Sequence, residues 1–255
     1  MIRTTLTAAA LGATLSVGGL LAASTAATAA PITIGSQNFS DVDDASSTTV
    51  DYGGSGIPTD PVAWSRFTDG DGNELILGLG THGRFANPNV TTSADNVYGA
   101  VAGFNDGTPG STAGLNGTTW NFNWFVEVIP ATGSSAAIED FGVELLYDLD
   151  PGAGTDETAH GVIDLSGLLA GTGTEVTQSS QNAAFGFLQP GSPFPSVSPS
   201  VGFDPFAAGE FTFALRSNQG NVGIAMNVAP IPLPAGGLLL LTALGGLGGA
   251  GALRR

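Results

Sequence analysis

The chain has no cysteine and no lysine, and only two histidines in 255 residues. Without cysteine there are no disulfides, no thiolate metal sites and no cysteine nucleophile. A domain without disulfides must hold itself by its core, helped at most by bound ions. Six arginines against 22 acidic residues leave a net charge of −16. Such a surface repels phosphate backbones, which a nucleic-acid binder must neutralise with Lys and Arg, so no nucleic-acid partner is expected. It repels anionic lipid headgroups for the same reason. The acidity fits solubility, a saline habitat or divalent cations better than it fits an acidic partner.

Catalytic constellations are equally scarce. His82 and His160 both lie in Gly/Thr-rich stretches without metal-ligand spacing, and no strand–turn–helix nucleophile elbow is present. With 22 carboxylates available, any pair chosen for glycoside hydrolysis would be arbitrary. The expectation is a non-enzymatic protein with no resident cofactor. A secreted hydrolase is the remote alternative, and it would need His82 or His160 beside a Ser or carboxylate in a cleft.

What is present begins with two apolar ends. Residues 1–29 carry Arg3, then a Leu/Ala/Gly-rich run closing on Ala27-Thr28-Ala29, the layout of a secretory signal peptide. At the other end, residues 235–253 are uncharged and dominated by Leu, Gly and Ala. At about 1.5 Å per residue such a helix reaches roughly 28 Å, close to a bilayer's hydrocarbon thickness. Pro230, Pro232 and Pro234 forbid helix upstream, and Arg254-Arg255 would stay on the cytoplasmic side. The domain, residues 30–229, would therefore lie outside the cytoplasm. It contains three arginines and all 22 acidic residues, so its own charge is 3 − 22 = −19.

The middle reads as strands. Gly is abundant (39 residues), and period-two patterns are separated by Gly, Pro, Asn and Asp loops. Glu74–Leu79 places Leu75, Leu77 and Leu79 on one face. Trp120–Ile129, the strongest case, does the same with Trp120, Phe122, Trp124, Val126 and Val128. Strands are also expected at Ile32–Phe39, Val97–Phe104 and Phe141–Leu149. Phe211, Phe213 and Leu215 lead through a Ser217–Gly220 turn to Val222, Ile224, Met226 and Val228, which makes a hairpin. The single short helix candidate is Leu165–Leu169. The fold expected is all-β: an antiparallel, jelly-roll-like β-sandwich flanked by a signal helix and a transmembrane helix.

Two acidic loops carry candidate ligands. Asp69, Asp71 and Asn73 alternate in a Gly-rich turn, and Asp148, Asp150 and Asp156, with Glu157, follow a strand. Oxygen-rich loops of this type suit calcium, but the first lacks the twelfth-position carboxylate of an EF-hand, and Asp and Gly equally suit plain turns. Asp41, Asp43 and Asp44 are a weaker group. Among the tryptophans, Trp120 and Trp124 share the apolar face and read as core. Trp64, between Pro61 and Arg66, is the surface candidate for stacking on a sugar ring.

The tail has a recognisable order: Ile231-Pro232-Leu233-Pro234-Ala235, an apolar helix, then Arg254-Arg255. It resembles the C-terminal sorting signals of PEP-CTERM proteins, in the VPLPA variant with Ile for the leading Val and two terminal arginines where three are common. The resemblance implies recognition and cleavage by an exosortase, a membrane cysteine protease of Gram-negative bacteria. Tyr147-Asp148-Leu149-Asp150-Pro151, Phe185-Gly186-Phe187 and Phe203-Asp204-Pro205 are similar to segments common in exported PEP-CTERM proteins. That likeness implies an exported cell-surface or matrix protein, tethered to the inner membrane and associated with exopolysaccharide, and it implies no reaction. A carbohydrate-binding module is the alternative function.

Overall fold

The alternating segments form strands with the expected faces. The computed structural model describes residues 38–40, 62–84, 90–93, 96–105 and 117–231. The expected signal helix, the 235–253 helix and Asp41, Asp43 and Asp44 lie outside them. The strands are β1 (Asn38–Ser40), β2 (Val62–Thr68), β3 (Glu74–Gly83), β4 (Thr91–Ser93), β5 (Val97–Val101), β6 (Phe104–Asn105), β7 (Gly117–Thr118), β8 (Trp120–Ile129), β9 (Glu144–Tyr147), β10 (Gly161–Asp164), β11 (Val176–Gln181), β12 (Gly209–Arg216) and β13 (Asn221–Ala229). One turn of α-helix, α1 (Leu165–Leu168), follows β10, where the sequence placed its helix. Among the described residues the protein is thus all-β.

The strands form a five-stranded sheet, β1-β2-β3-β8-β11, a six-stranded sheet, β10-β9-β12-β13-β5-β4, and the small β6-β7 pair. One core draws on both large sheets. Leu75, Leu77, Trp120, Phe122 and Val126 come from the first, and Leu145, Tyr147, Phe211, Phe213, Ile224 and Met226 from the second. These are the residues that the period-two pattern places together, and burying such a face is what stabilises a half-amphipathic strand. Phe122 and Phe213 stack across the two sheets at 4.4 Å between centroids. The β12–β13 hairpin forms as expected, its turn closed by Ser217 N–H on Gly220 O at 2.8 Å.

Several expectations need correction. The sheets are not wholly antiparallel: β5 runs parallel to β13, with Val97 opposite Ala225 and Val101 opposite Ala229. A parallel pair needs a long crossover, and here everything from β6 to β12 lies between the two strands. The Val97–Phe104 strand is cut at Ala102-Gly103, where Gly103 turns its N–H to Pro205 O (2.8 Å) and its carbonyl to Thr119 N–H (3.2 Å). In Phe141–Leu149 only Glu144–Tyr147 is strand. A 3₁₀ turn covers Ile138–Phe141, and Gly142 at φ 58° takes the left-handed conformation that reverses the chain. The inward set survives regardless, because Phe141, Val143, Leu145, Tyr147 and Leu149 are all buried.

The second face of the five-stranded sheet carries a buried cluster of its own. Val62, Ile76 and Phe125 form a separate buried cluster, with Trp64, Ile129 and Val176 packed against it, and Glu127 is fully buried beside them. That face is not open to solvent at its centre.

Candidate functional site

The loop leaving β9 collects the most chemistry. Each of its three aspartates closes its own turn two residues on: Asp148 Oδ1 accepts from Asp150 N–H, Asp150 Oδ1 from Gly152 N–H and Asp156 Oδ1 from Thr158 N–H, each at 2.8 Å. Asp156 thereby caps the 3₁₀ turn Glu157–Ala159. Arg216 ties the loop to β9 by pairing with both Glu144 and Glu157.

Beneath this loop Asp148, His160 and Thr212 are buried together, at 1%, 0% and 5% exposure. Asp148 N–H donates to Thr212 O at 2.8 Å. His160 Nδ1 lies 2.8 Å from Asp156 O and Nε2 lies 3.1 Å from Thr212 Oγ1. A carbonyl only accepts, so Nδ1 carries a proton, and in the neutral ring Nε2 accepts from the threonine hydroxyl. A histidine with a hydroxyl and a carboxylate nearby is what the hydrolase alternative requires. Here, however, all three groups are buried in the fold.

Burial pushes the Asp148 carboxyl up to about 6, against the opposing pull of the Asp150 N–H, His160 and the Thr155 hydroxyl. A carboxyl raised in the folded state contributes its full stability below its unfolded value, near 3.8, and loses that contribution as pH rises through about 6. This corresponds to on the order of 3 kcal/mol across the window. Asp148→Asn keeps an oxygen for Asp150 N–H, so it is expected to remove this fall in stability between about pH 4 and 6. Urea midpoints of both proteins at several pH values check it, and an unchanged pH slope in the variant would refute it.

The first acidic loop is organised the same way. Asp69 Oδ1 accepts from the N–H groups of Asp71 and Asn73, both at 2.9 Å, and Oδ2 accepts from Asn73 Nδ2 at 2.8 Å. The Asn73 hydrogen bond holds the Asp69 carboxyl below its usual range. Asn73 Oδ1 in turn accepts from Ala131 N–H at 2.9 Å, and Gly72 at φ 85° completes the turn. Asp71 stays exposed on an open groove of about 550 Å³ that Asp140 and Asn218 also line. In both loops the expected calcium ligands other than Asp71 accept from backbone N–H groups. Among the described residues no three His, Asp or Glu side chains converge on a common metal position.

Trp64 projects from β2 onto the covered face of the five-stranded sheet. It is half-buried against Val62, Ile76 and Phe125, not free as a platform. His82 is half-buried near Asn123, its Nδ1 3.3 Å from Oδ1, and burial keeps the imidazole below its ordinary range.

Sequence reasoning missed a polar network between these elements. Arg84 is 4% exposed, donates to Asn121 Oδ1 at 3.3 Å and lies 5.2 Å over the Phe185 ring. Asn182, fully buried, donates to Thr118 O, Trp120 O and Asn121 Oδ1 and accepts from Thr118 and Ala184 N–H. Nothing in the sequence pattern marked Arg84 or Asn182 as buried.

Of the tail, Ile231 is described and exposed, while Pro232, Leu233, Pro234, Ala235, Arg254 and Arg255 lie outside the described residues. Among the described residues no helix is long and apolar enough to cross a membrane. No family model matches the chain, and comparison with curated proteins and solved structures gives no match either.

Proposed function

We propose that the chain is a non-enzymatic exported protein of the cell surface or extracellular matrix. Residues 1–29 direct export, residues 30–229 fold in the periplasm, and residues 230–255 tether the domain to the inner membrane until an exosortase-type protease acts at Ile231–Ala235. The two large sheets are the layers of a β-sandwich. Its jelly-roll-like character rests on repeated crossings of the chain between sheets and on the late strands β12 and β13 entering between β9 and β5.

One observation carries the reading. The last described strand, β13, ends at Ala229, and Ile231 is already 52% exposed, so the motif starts outside the described core. Cleavage there would remove the anchor and leave every described strand intact. The acidic, cysteine-free composition supports a domain that folds and stays soluble outside the cell without oxidation. The buried position of His160 favours a structural role over hydrolysis. The test is the covalent identity of the mature chain: mass spectrometry of the intact protein from its native host, with both termini assigned.

A further inference from the structure

The acidic residues are unevenly distributed. Residues 165–203 contain one charged side chain, Glu175, in a chain with 22 carboxylates. Glu139 and Asp164 reach the margin of this segment, and both are engaged with its backbone, at Gly171 and Gly167 N–H. The segment also gathers exposed apolar side chains: Leu168 (56% exposed), Phe194 (46%), Val197 (49%) and Phe187 (36%). Phe187 and Phe194 meet edge to face at 5.2 Å, and Val197 is fixed beside β10 through its bridge to Val162.

At the centre of this face is a depression of about 170 Å³ between β10 and β11, the terminal strands of their sheets among the described residues. Its walls are Trp124, Ile163 and Leu165 from the core, with Leu168, Phe187 and Phe194 at the rim. The volume suits one apolar side chain and falls short of the roughly 300–1,000 Å³ of a small-molecule site.

We propose that this face is where a second copy of the chain docks. The shape of the patch selects that occupant. A two-fold contact requires one patch to carry both projection and recess, and Leu168 and Phe194 stand beside a recess of side-chain size. Charge is compatible with it: copies with a net charge of −16 repel wherever their carboxylates meet, and residues 165–203 bring only Glu175 to such a contact. A soluble monomer rarely leaves such a cluster of aromatic and aliphatic side chains uncovered. A polysaccharide would need many donors and acceptors, and among the side chains lining the recess only Thr177, Gln181 and the Trp124 indole carry polar atoms.

The lack of cysteine makes the test clean. Ala170→Cys, on the exposed turn after α1, and Gln219→Cys, on the exposed β12–β13 turn, are placed separately in the full chain. Each is treated in native membranes with a short bis-maleimide. If the face pairs two copies, Ala170→Cys gives about tenfold more species of doubled mass than Gln219→Cys, because docking raises the local thiol concentration. Adding Phe194→Asp to Ala170→Cys returns it to the control level while the melting temperature is kept. Equal crosslinking from the two cysteines overturns the proposal, as does a crosslink that survives Phe194→Asp. Loss of polysaccharide or vesicle binding in Phe194→Asp, with no crosslink at Ala170, reassigns the face to that partner and also overturns it.

Discussion

Trp120→Ala is expected to lower stability by about 3–5 kcal/mol, among the largest costs of any single substitution in the core. On a domain of this size that is on the order of 10 °C in melting temperature. Trp120 is fully buried and sits among Phe203, Phe211 and Phe213, at centroid distances of 5.9, 6.0 and 6.0 Å. It therefore joins β8 of one sheet to β12 of the other, and its truncation opens a cavity that rigid strands on both sides cannot collapse. Its indole Nε1 has no hydrogen-bond partner among the described residues, so the loss is one of packing alone. Trp120→Phe should accordingly lose less than half as much. Thermal and urea unfolding of the two variants checks this, and an equal loss in both would place the cost somewhere other than the cavity.

The second large effect is expected at Asn182. Its side chain makes three donor and two acceptor contacts in a fully buried position, linking β7, β8 and the end of β11. Asn182→Ala leaves the N–H groups of Thr118 and Ala184 and the carbonyl of Thr118 without this partner. At about 1–3 kcal/mol for each stranded group, a total of at least roughly 3 kcal/mol is expected. Asn182→Asp is the sharper probe. It keeps the acceptor oxygen but turns the donor into a second oxygen facing Thr118 O, Trp120 O and Asn121 Oδ1. Its loss should be at least as large near neutral pH and partly recovered in acid, where the carboxyl protonates and can donate. If the Asn182→Asp variant behaves like the parent across pH, the donor contacts carry little of the stability.

What the sequence revealed and what it hid divide along physical lines. Strands β8, β12 and β13 announce themselves because large apolar residues recur at every second position, over nine, five and seven residues, with mostly small or polar residues between them, a pattern that suits a two-faced strand. Strand β11, Val176–Gln181, has one apolar residue and lies at a sheet edge, where pairing with β8 depends on backbone hydrogen bonds and leaves no side-chain signature. Strand β2 follows a Pro/Gly-rich stretch that reads as loop. Val62 is buried and Trp64 half-buried by contacts that local periodicity does not encode. The acidic loops were found as positions and misread in emphasis. Spacing shows which oxygens are near one another in the chain. It does not show that Asp69, Asp148, Asp150 and Asp156 would each turn back onto a nearby N–H. The buried contact of His160 with Thr212 joins positions 52 residues apart, which only the fold brings together.

Export, tethering and release form the centre of this account, and the two ends of the mature chain decide it. Intact-mass measurement of the protein purified from its native host should give an N-terminus at Ala30 and a C-terminus within Ile231–Ala235, with the apolar run and Arg254-Arg255 gone. A mature chain that retains Arg255 would contradict processing at the proline-rich motif and leave the tail as a permanent anchor.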